Sequence, residues 1–339
     1  TLMGAGSHIV ASAALYGGSH NLLAYTLPRF GIETTFVDPR DPQAFANAIQ
    51  DNTRLVFGET LGNPSLDVLN IPAIAGVAHA AGLPLMVDST TTTPYLIKPF
   101  EVGADIIQHS ATKFLSGHGI VIGGLLVDSG QFDWEASGKF PTLSEPYEGF
   151  HNLIFTEEFG PAAMIQRARK EGLRDFGACI APTSAFHILQ GIETLSVRMS
   201  RHVDNTRAIT SFLLEQEQVT RVGYPELDGH PDQALAKELL PNGCGAVFSF
   251  DLAGGREAGI AFVDALSVFS HLANIGDAKS LVIHPASTTH HRMDAEALAA
   301  GGIGEGTIRL SIGLEDPKDL IADLKQGLQA AGKATGGRR

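Results

Sequence analysis

The stretch Ile71–Ala80 (IPAIAGVAHA), followed past Gly82 by Pro84-Leu85-Met86-Val87-Asp88 and then by Ser89 to Thr93, decides the fold. It reads as a helix, a turn, a short apolar strand and a second turn. The alternation continues outward: 8–11, 33–37, 54–58, 105–110 and 120–127 read as strands, and 21–30 and 42–50 as helices. That order implies an α/β fold with a mostly parallel sheet, in which ligands gather at the carboxyl ends of strands. The run 120–127 is too short to span a membrane and reads as a buried strand. From 183 to 217 the pattern is helical, with Phe186, Leu189, Leu195, Val203 and Phe212 as apolar positions. A boundary near Ser196 divides a larger domain, 1–196, from a smaller C-terminal α/β domain, 197–339. The smaller one has strands at 245–252, 268–272, 281–284 and 307–312, a closing helix at 317–331 and a frayed end at 332–339.

Several strand ends carry chemistry. Asp88 closes its apolar strand, where a carboxylate is costly unless it meets a cation. Downstream, Gln108-His109-Ser110-Ala111-Thr112-Lys113-Phe114 crowds two hydroxyls and an amine together. A lysine that forms a Schiff base with pyridoxal phosphate needs a phosphate cup, which Ser110 and Thr112 suit, and a protonated pyridine nitrogen suits Asp88. In Tyr16-Gly17-Gly18-Ser19, paired glycines let backbone approach a ligand beside a ring that can stack. Arg309, opposite Ile308, Leu310 and Ile312 in strand alternation, can grip a carboxylate. Plainer readings stand beside these: Lys113 as a solvated lysine, Asp88 as a cap, Gly17-Gly18 as a turn before a Ser19-capped helix, and Arg309 as an edge-strand residue facing water. Thr90, two residues past Asp88, is set aside.

Six ordered motifs carry a family resemblance: Tyr16-Gly17-Gly18-Ser19, Glu59-Thr60-Leu61-Gly62-Asn63-Pro64, Val87-Asp88-Ser89-Thr90, Ser110-Ala111-Thr112-Lys113, Gly191-Ile192-Glu193-Thr194-Leu195 and Arg309-Leu310-Ser311-Ile312-Gly313-Leu314-Glu315. From near Gly4 to about Ala331 the chain resembles the pyridoxal-phosphate enzymes of cysteine and methionine metabolism, the cystathionine gamma-synthase-like group. The segment 128–172 and the run His284-Pro285-Ala286-Ser287-Thr288-Thr289-His290 resemble its sulfhydrylase branch.

The resemblance implies the aspartate aminotransferase-like fold (fold type I) of pyridoxal-phosphate-dependent transferases. It also implies pyridoxal 5'-phosphate as cofactor, and gamma-replacement of the acetate of an O-acetylated homoserine by sulfide or a thiol. By the same resemblance Lys113 holds the cofactor and moves protons, Tyr16 stacks on the ring and assists, and Asp88 pairs with the pyridine nitrogen. Ser110 and Thr112 hold the phosphate, Arg309 with Asn63 orients the substrate carboxylate, and Ser287 lies near lysine and substrate. A homotetramer of active-site-sharing dimers is implied too. So is a preceding N-terminal segment with a Ser-Gly phosphate loop and a Tyr-x-Arg element, neither of which this sequence contains. The segment is therefore expected to be missing, and with it part of the phosphate cup. A cystathionine or methionine gamma-lyase or gamma-synthase of the same family, and a noncatalytic fragment of such an enzyme, remain as alternatives.

The chain of 339 residues is 44% hydrophobic and 18% charged, enough to bury a sizeable core. A net charge of -13 argues against nucleic-acid and anionic-membrane partners. The first residues resemble neither a signal nor a transit peptide. Cys179 and Cys244, far apart and without metal spacing, suit a reduced cytoplasmic setting better than a disulfide framework. The glycines follow no repeat period. Thirteen histidines invite a metal reading, but His290 and His291 are adjacent and would point apart, so no metal is expected.

Overall fold

A computed structural model describes residues 1–62, 66–289, 291–292, 296 and 302–336. The first half is a six-stranded sheet of β1 His8–Ser12, β2 Glu33–Val37, β3 Thr53–Glu59, β4 Leu85–Asp88, β5 Ile106–Ser110 and β6 Gly124–Asp128, in the order β2-β1-β3-β4-β5-β6. All neighbours are parallel except β6, which runs antiparallel to β5. After β1 the chain goes to one side for β2 and to the other for β3. Such a reversal opens a crevice at the carboxyl ends of the strands. Val10, Val56, Leu85, Val87 and Ile106 are buried, as both faces of a covered parallel sheet require.

Helices Pro42–Ala48 and Ile71–Ala80 start where the sequence says they should. Asp41 accepts the Gln43 N–H at 2.9 Å and Asn70 that of Ala73 at 3.2 Å, each with proline in the first turn. The expected helix 21–30 is divided into Gly17–Asn21, a π turn Leu22–Thr26 and a 3-10 turn Leu27–Phe30. Pro28 has no N–H to continue an α-helix. The run 120–127, expected to be buried, is not: β6 begins only at Gly124 on the sheet edge, Ile122 is 86% exposed and Leu125 40%. A strand with no neighbour on its outer side among the described residues does not bury an apolar run merely because the run is apolar.

Two helices, Pro182–Glu193 and Leu195–Leu214, break at Thr194 and lead to the second sheet. It contains β7 Val219–Gly223, β8 Val247–Leu252, β9 Ser270–His271, β10 Leu281–Ile283 and β11 Thr307–Ser311, ordered β7-β8-β11-β10-β9. β9 is two residues long where five were expected, because Asp323 takes the N–H groups of Ser267, Val268 and Phe269 at 2.8–3.0 Å. The last helix, Pro317–Gly336, runs past the expected end at 331. Gly332 packs against Gln218, and the Thr335 hydroxyl donates back to the Ala331 carbonyl at 3.2 Å, so 332–336 is helix and not a frayed end. Residues 337–339 lie outside the described residues. One buried cluster spans both sheets and includes Val56, Phe114, Met199, Phe248 and Leu310.

Candidate functional site

Parallel register brings three strand ends into line: Glu59 of β3 opposes Asp88 of β4, which opposes Gln108 of β5. Asp88 accepts the Thr90 N–H at 2.9 Å and the Gln108 side-chain amide at 3.2 Å. Burial pushes its pKa up, against the hydrogen bonds from Thr90. Glu59 accepts the Tyr16 N–H at 2.7 Å and is pushed well up, first by burial and then by the charge of Asp88.

Lys113 stands in the turn that follows β5. Arg198, buried beneath, bonds the carbonyls of Phe114 at 2.7 Å, Leu115 at 3.3 Å and Gly191 at 2.6 Å. A strap from the second half covers the turn: Ala278 N–H donates to the Gly117 carbonyl at 2.8 Å. In that strap Gly276 has φ +74, and a Cβ there would stand 2.6 Å from the Phe114 nitrogen. Only glycine satisfies both the backbone and the close approach. The same strap presents Asn274, whose Oδ1 accepts a hydrogen bond from Lys113 Nζ. Burial lowers the Lys113 pKa, and the Arg309 charge lowers it further. Arg309, on β11, is itself held down by burial.

These groups line one cavity of about 300 Å³: Tyr16, Glu59, Asp88, Thr90, Thr91, Ser110, Thr112, Lys113, Ile122, Ala273, Asn274, Ile275 and Arg309. Six residues singled out in the sequence are thus brought together. Ser287 is not among them; it ends a 3-10 turn with its hydroxyl 2.8 Å from His284 Nδ1. Asn63 lies outside the described residues, as does His290. Seven other lining residues had been missed or set aside, three of which make polar contacts that shape the site. Glu59 sat in a quoted motif without a role, Thr90 supports Ser110 by accepting its N–H at 2.8 Å, and Asn274 is 161 residues from the lysine it meets. No local signal reports a contact of that span.

The lining suits pyridoxal phosphate. An amine with a lowered pKa can form the imine, and a dry carboxylate awaits a cationic partner. The cavity reaches the lower end of the roughly 300–1,000 Å³ of small-molecule sites. The Ser110 hydroxyl has no hydrogen-bond partner among the described residues, whereas that of Thr112 is engaged with Gly123 at 3.1–3.2 Å. No group of three or more His, Cys, Asp or Glu side chains arranged to hold a metal occurs among the described residues. No described helix is long and apolar enough to cross a membrane.

Residues 1–329 match the family described as Cys/Met metabolism PLP-dependent enzyme. An O-acetyl-L-homoserine sulfhydrylase of Leptospira meyeri is 47% identical, over 96% of this chain and 75% of that protein. A homocysteine synthase of Schizosaccharomyces pombe is also 47% identical, over 98% and 78%. Among solved structures, a putative O-acetylhomoserine (thiol)-lyase of Campylobacter jejuni, with N'-pyridoxyl-lysine-5'-monophosphate, superimposes with TM-score 0.91 at 36% identity, covering 97% of this chain and 78% of that one. A cystathionine gamma-lyase of Lactobacillus plantarum, complexed with L-serine, gives 0.81 at 34% identity over the same shares.

Proposed function

The chain belongs to the Cys/Met metabolism PLP-dependent enzyme family, and on that premise we propose that it exchanges the acetate of O-acetyl-L-homoserine for sulfide or a small thiol. The observation that carries this reading is the convergence of Lys113, Asp88 and Arg309 on one cavity. Pyridoxal phosphate, bound through Lys113, supplies the electron sink that makes the α and then the β carbon of an amino acid acidic.

The chain's own residues do the rest. Lys113, with its lowered pKa, takes and returns protons at those two carbons, and Asn274 holds its amine toward the second half of the molecule. Asp88 keeps a proton on the pyridine nitrogen, and a cation there restores the charge that burial disfavours. Arg309 orients the substrate carboxylate, Ser110 holds phosphate oxygens, joined by Thr112 when its hydroxyl turns from the Gly123 carbonyl, and Tyr16 covers the ring. Across the cycle the Cγ–O bond breaks, its electron pair leaving with acetate, and a Cγ–S bond forms from sulfide. The lifted protons return to carbon, so O-acetylhomoserine and hydrosulfide balance homocysteine and acetate.

The reading extends to a division into domains at 1–196 and 197–339 and to a cytoplasmic homotetramer, which light scattering on the purified protein checks. Activity is tested by acetate release from O-acetyl-L-homoserine with and without sulfide. Sulfide-dependent release supports the reading. Ketoacid and ammonia formed from homocysteine or cystathionine without added thiol would move the chain to the lyases.

A further inference from the structure

Glu59 ends β3 as the cross-strand partner of Asp88, and both carboxyl groups line the cavity while being 7% and 8% exposed. Two carboxylates so placed and so buried cannot both ionise cheaply. The groups that face Glu59 come from separate elements. Asp88 is on β4, and the Tyr16 peptide N–H lies 2.7 Å away on the loop after β1. Lys113, whose amine bonds Asn274, follows β5, and Arg309 on β11 completes the ionisable lining with the Tyr16 phenol. Among the described residues, the charged cross-strand neighbour of Glu59 is therefore another acid.

Tyr16 leads into the helix Gly17–Asn21: Glu59 takes its backbone N–H, its carbonyl accepts the His20 N–H at 2.9 Å, and its ring lies beside Gly18, where a Cβ would stand 2.5 Å from the ring edge. With the residue 54% exposed, these few contacts place the ring. We propose that Glu59 carries a proton in the working protein and, in that neutral form, is the positioning residue for Tyr16, leaving Asp88 as the one anionic carboxylate of the cavity. Burial and the Asp88 charge both favour the protonated form, and only the Tyr16 N–H opposes it.

The inference rests on the pyridoxal-phosphate reading of the cavity, and its test keeps the two apart. Pyridoxal phosphate is titrated into wild type, Glu59→Ala and Glu59→Gln, and the melting temperature of each cofactor-free protein is followed from acid to mildly alkaline pH. Loss of the Tyr16 anchor in Glu59→Ala weakens cofactor binding about tenfold, and Glu59→Gln, which keeps an acceptor, restores it to within about threefold. Without cofactor, Glu59→Gln gains melting temperature over wild type as pH rises, because wild type alone must ionise or hold a buried carboxyl protonated. Equal weakening in both variants would show that the ionised carboxylate is required and overturn the proposal, as would wild-type binding by Glu59→Ala. If Glu59→Ala does not fold, a pH-independent difference between Glu59→Gln and wild type overturns it alone. Absence of any visible cofactor band in wild type would instead remove the cofactor reading itself, and the inference with it.

Discussion

Lys113 owes its chemistry to burial, which lowers its pKa first, and to two neighbours distant in sequence: Arg309 lowers that pKa further by charge and Asn274 receives its amine. Replacing Arg309 by Leu removes a positive charge that disfavours the ammonium form, so the Lys113 pKa rises. Only the free amine attacks an aldehyde, so the acid limb of the rate at which the protein takes up pyridoxal phosphate moves to higher pH. Stopped-flow absorbance at a series of pH values measures that shift, and a limb that stays in place would contradict it. Asp88→Asn separates function from stability. Without a charge to hold the pyridine proton, kcat falls by about 10²–10³-fold while the cofactor still binds. The cofactor-free variant melts higher than wild type at neutral pH, because the raised pKa of Asp88 is a stability loss that grows as pH climbs past the ordinary carboxylate range. A variant that was both inactive and less stable would count against this account. Asp88 and Lys113 were legible because each closes an apolar strand or follows one at a turn. Asn274 was not, since nothing near it in the chain points to a partner 161 residues away.

The turn after β5 is a separate element with its own support. Arg198 satisfies three backbone carbonyls at 2.6–3.3 Å, from Phe114, Leu115 and Gly191, and its Nε donates to Thr194 Oγ1 at 3.0 Å. Arg198→Ala leaves those carbonyls buried without a donor and costs about 3 kcal/mol or more, by the usual worth of hydrogen bonds to a charged group. Urea unfolding of cofactor-free protein checks this; Arg198→Lys, with fewer and unforked donors, recovers part of the loss. The motif Gly191-Ile192-Glu193-Thr194-Leu195 drew attention in the sequence, and the structure gives it a physical reason: its first carbonyl and its threonine hold the arginine that braces the lysine turn. The central strands were legible because burial on both faces leaves an unbroken apolar run. The same rule misread 120–127, because an apolar run does not state whether a strand lies inside a sheet or on its edge. The last helix was read as ending at 331 with a frayed end beyond it, whereas it continues to Gly336, with the Thr335 hydroxyl bonded back to the Ala331 carbonyl.

At the scale of the whole molecule, one buried cluster joins the two sheets, and His202 sits within the joint. Its Nδ1 lies 2.7 Å from the Ile312 carbonyl, and its ring meets Phe114 edge-on at 5.3 Å. Burial lowers its pKa from 6.5 to about 4. Below 6.5 the unfolded chain takes up a proton that the folded one refuses, so stability falls as pH drops, and the loss is complete near 4. The size is about 3 kcal/mol. His202→Asn lowers stability at neutral pH and flattens this acid dependence, which denaturant melts across the range report. An unchanged acid limb would show that other groups carry it. The central claim concerns Lys113 and has a direct measurement. Pyridoxal phosphate is added to wild type and to Lys113→Ala, both are reduced with borohydride, and peptides are read by mass spectrometry. The account predicts a pyridoxyl phosphate fixed on Lys113 in wild type and on no residue of the variant. A wild type left unlabelled, or a label on another lysine that survives the substitution, would contradict it.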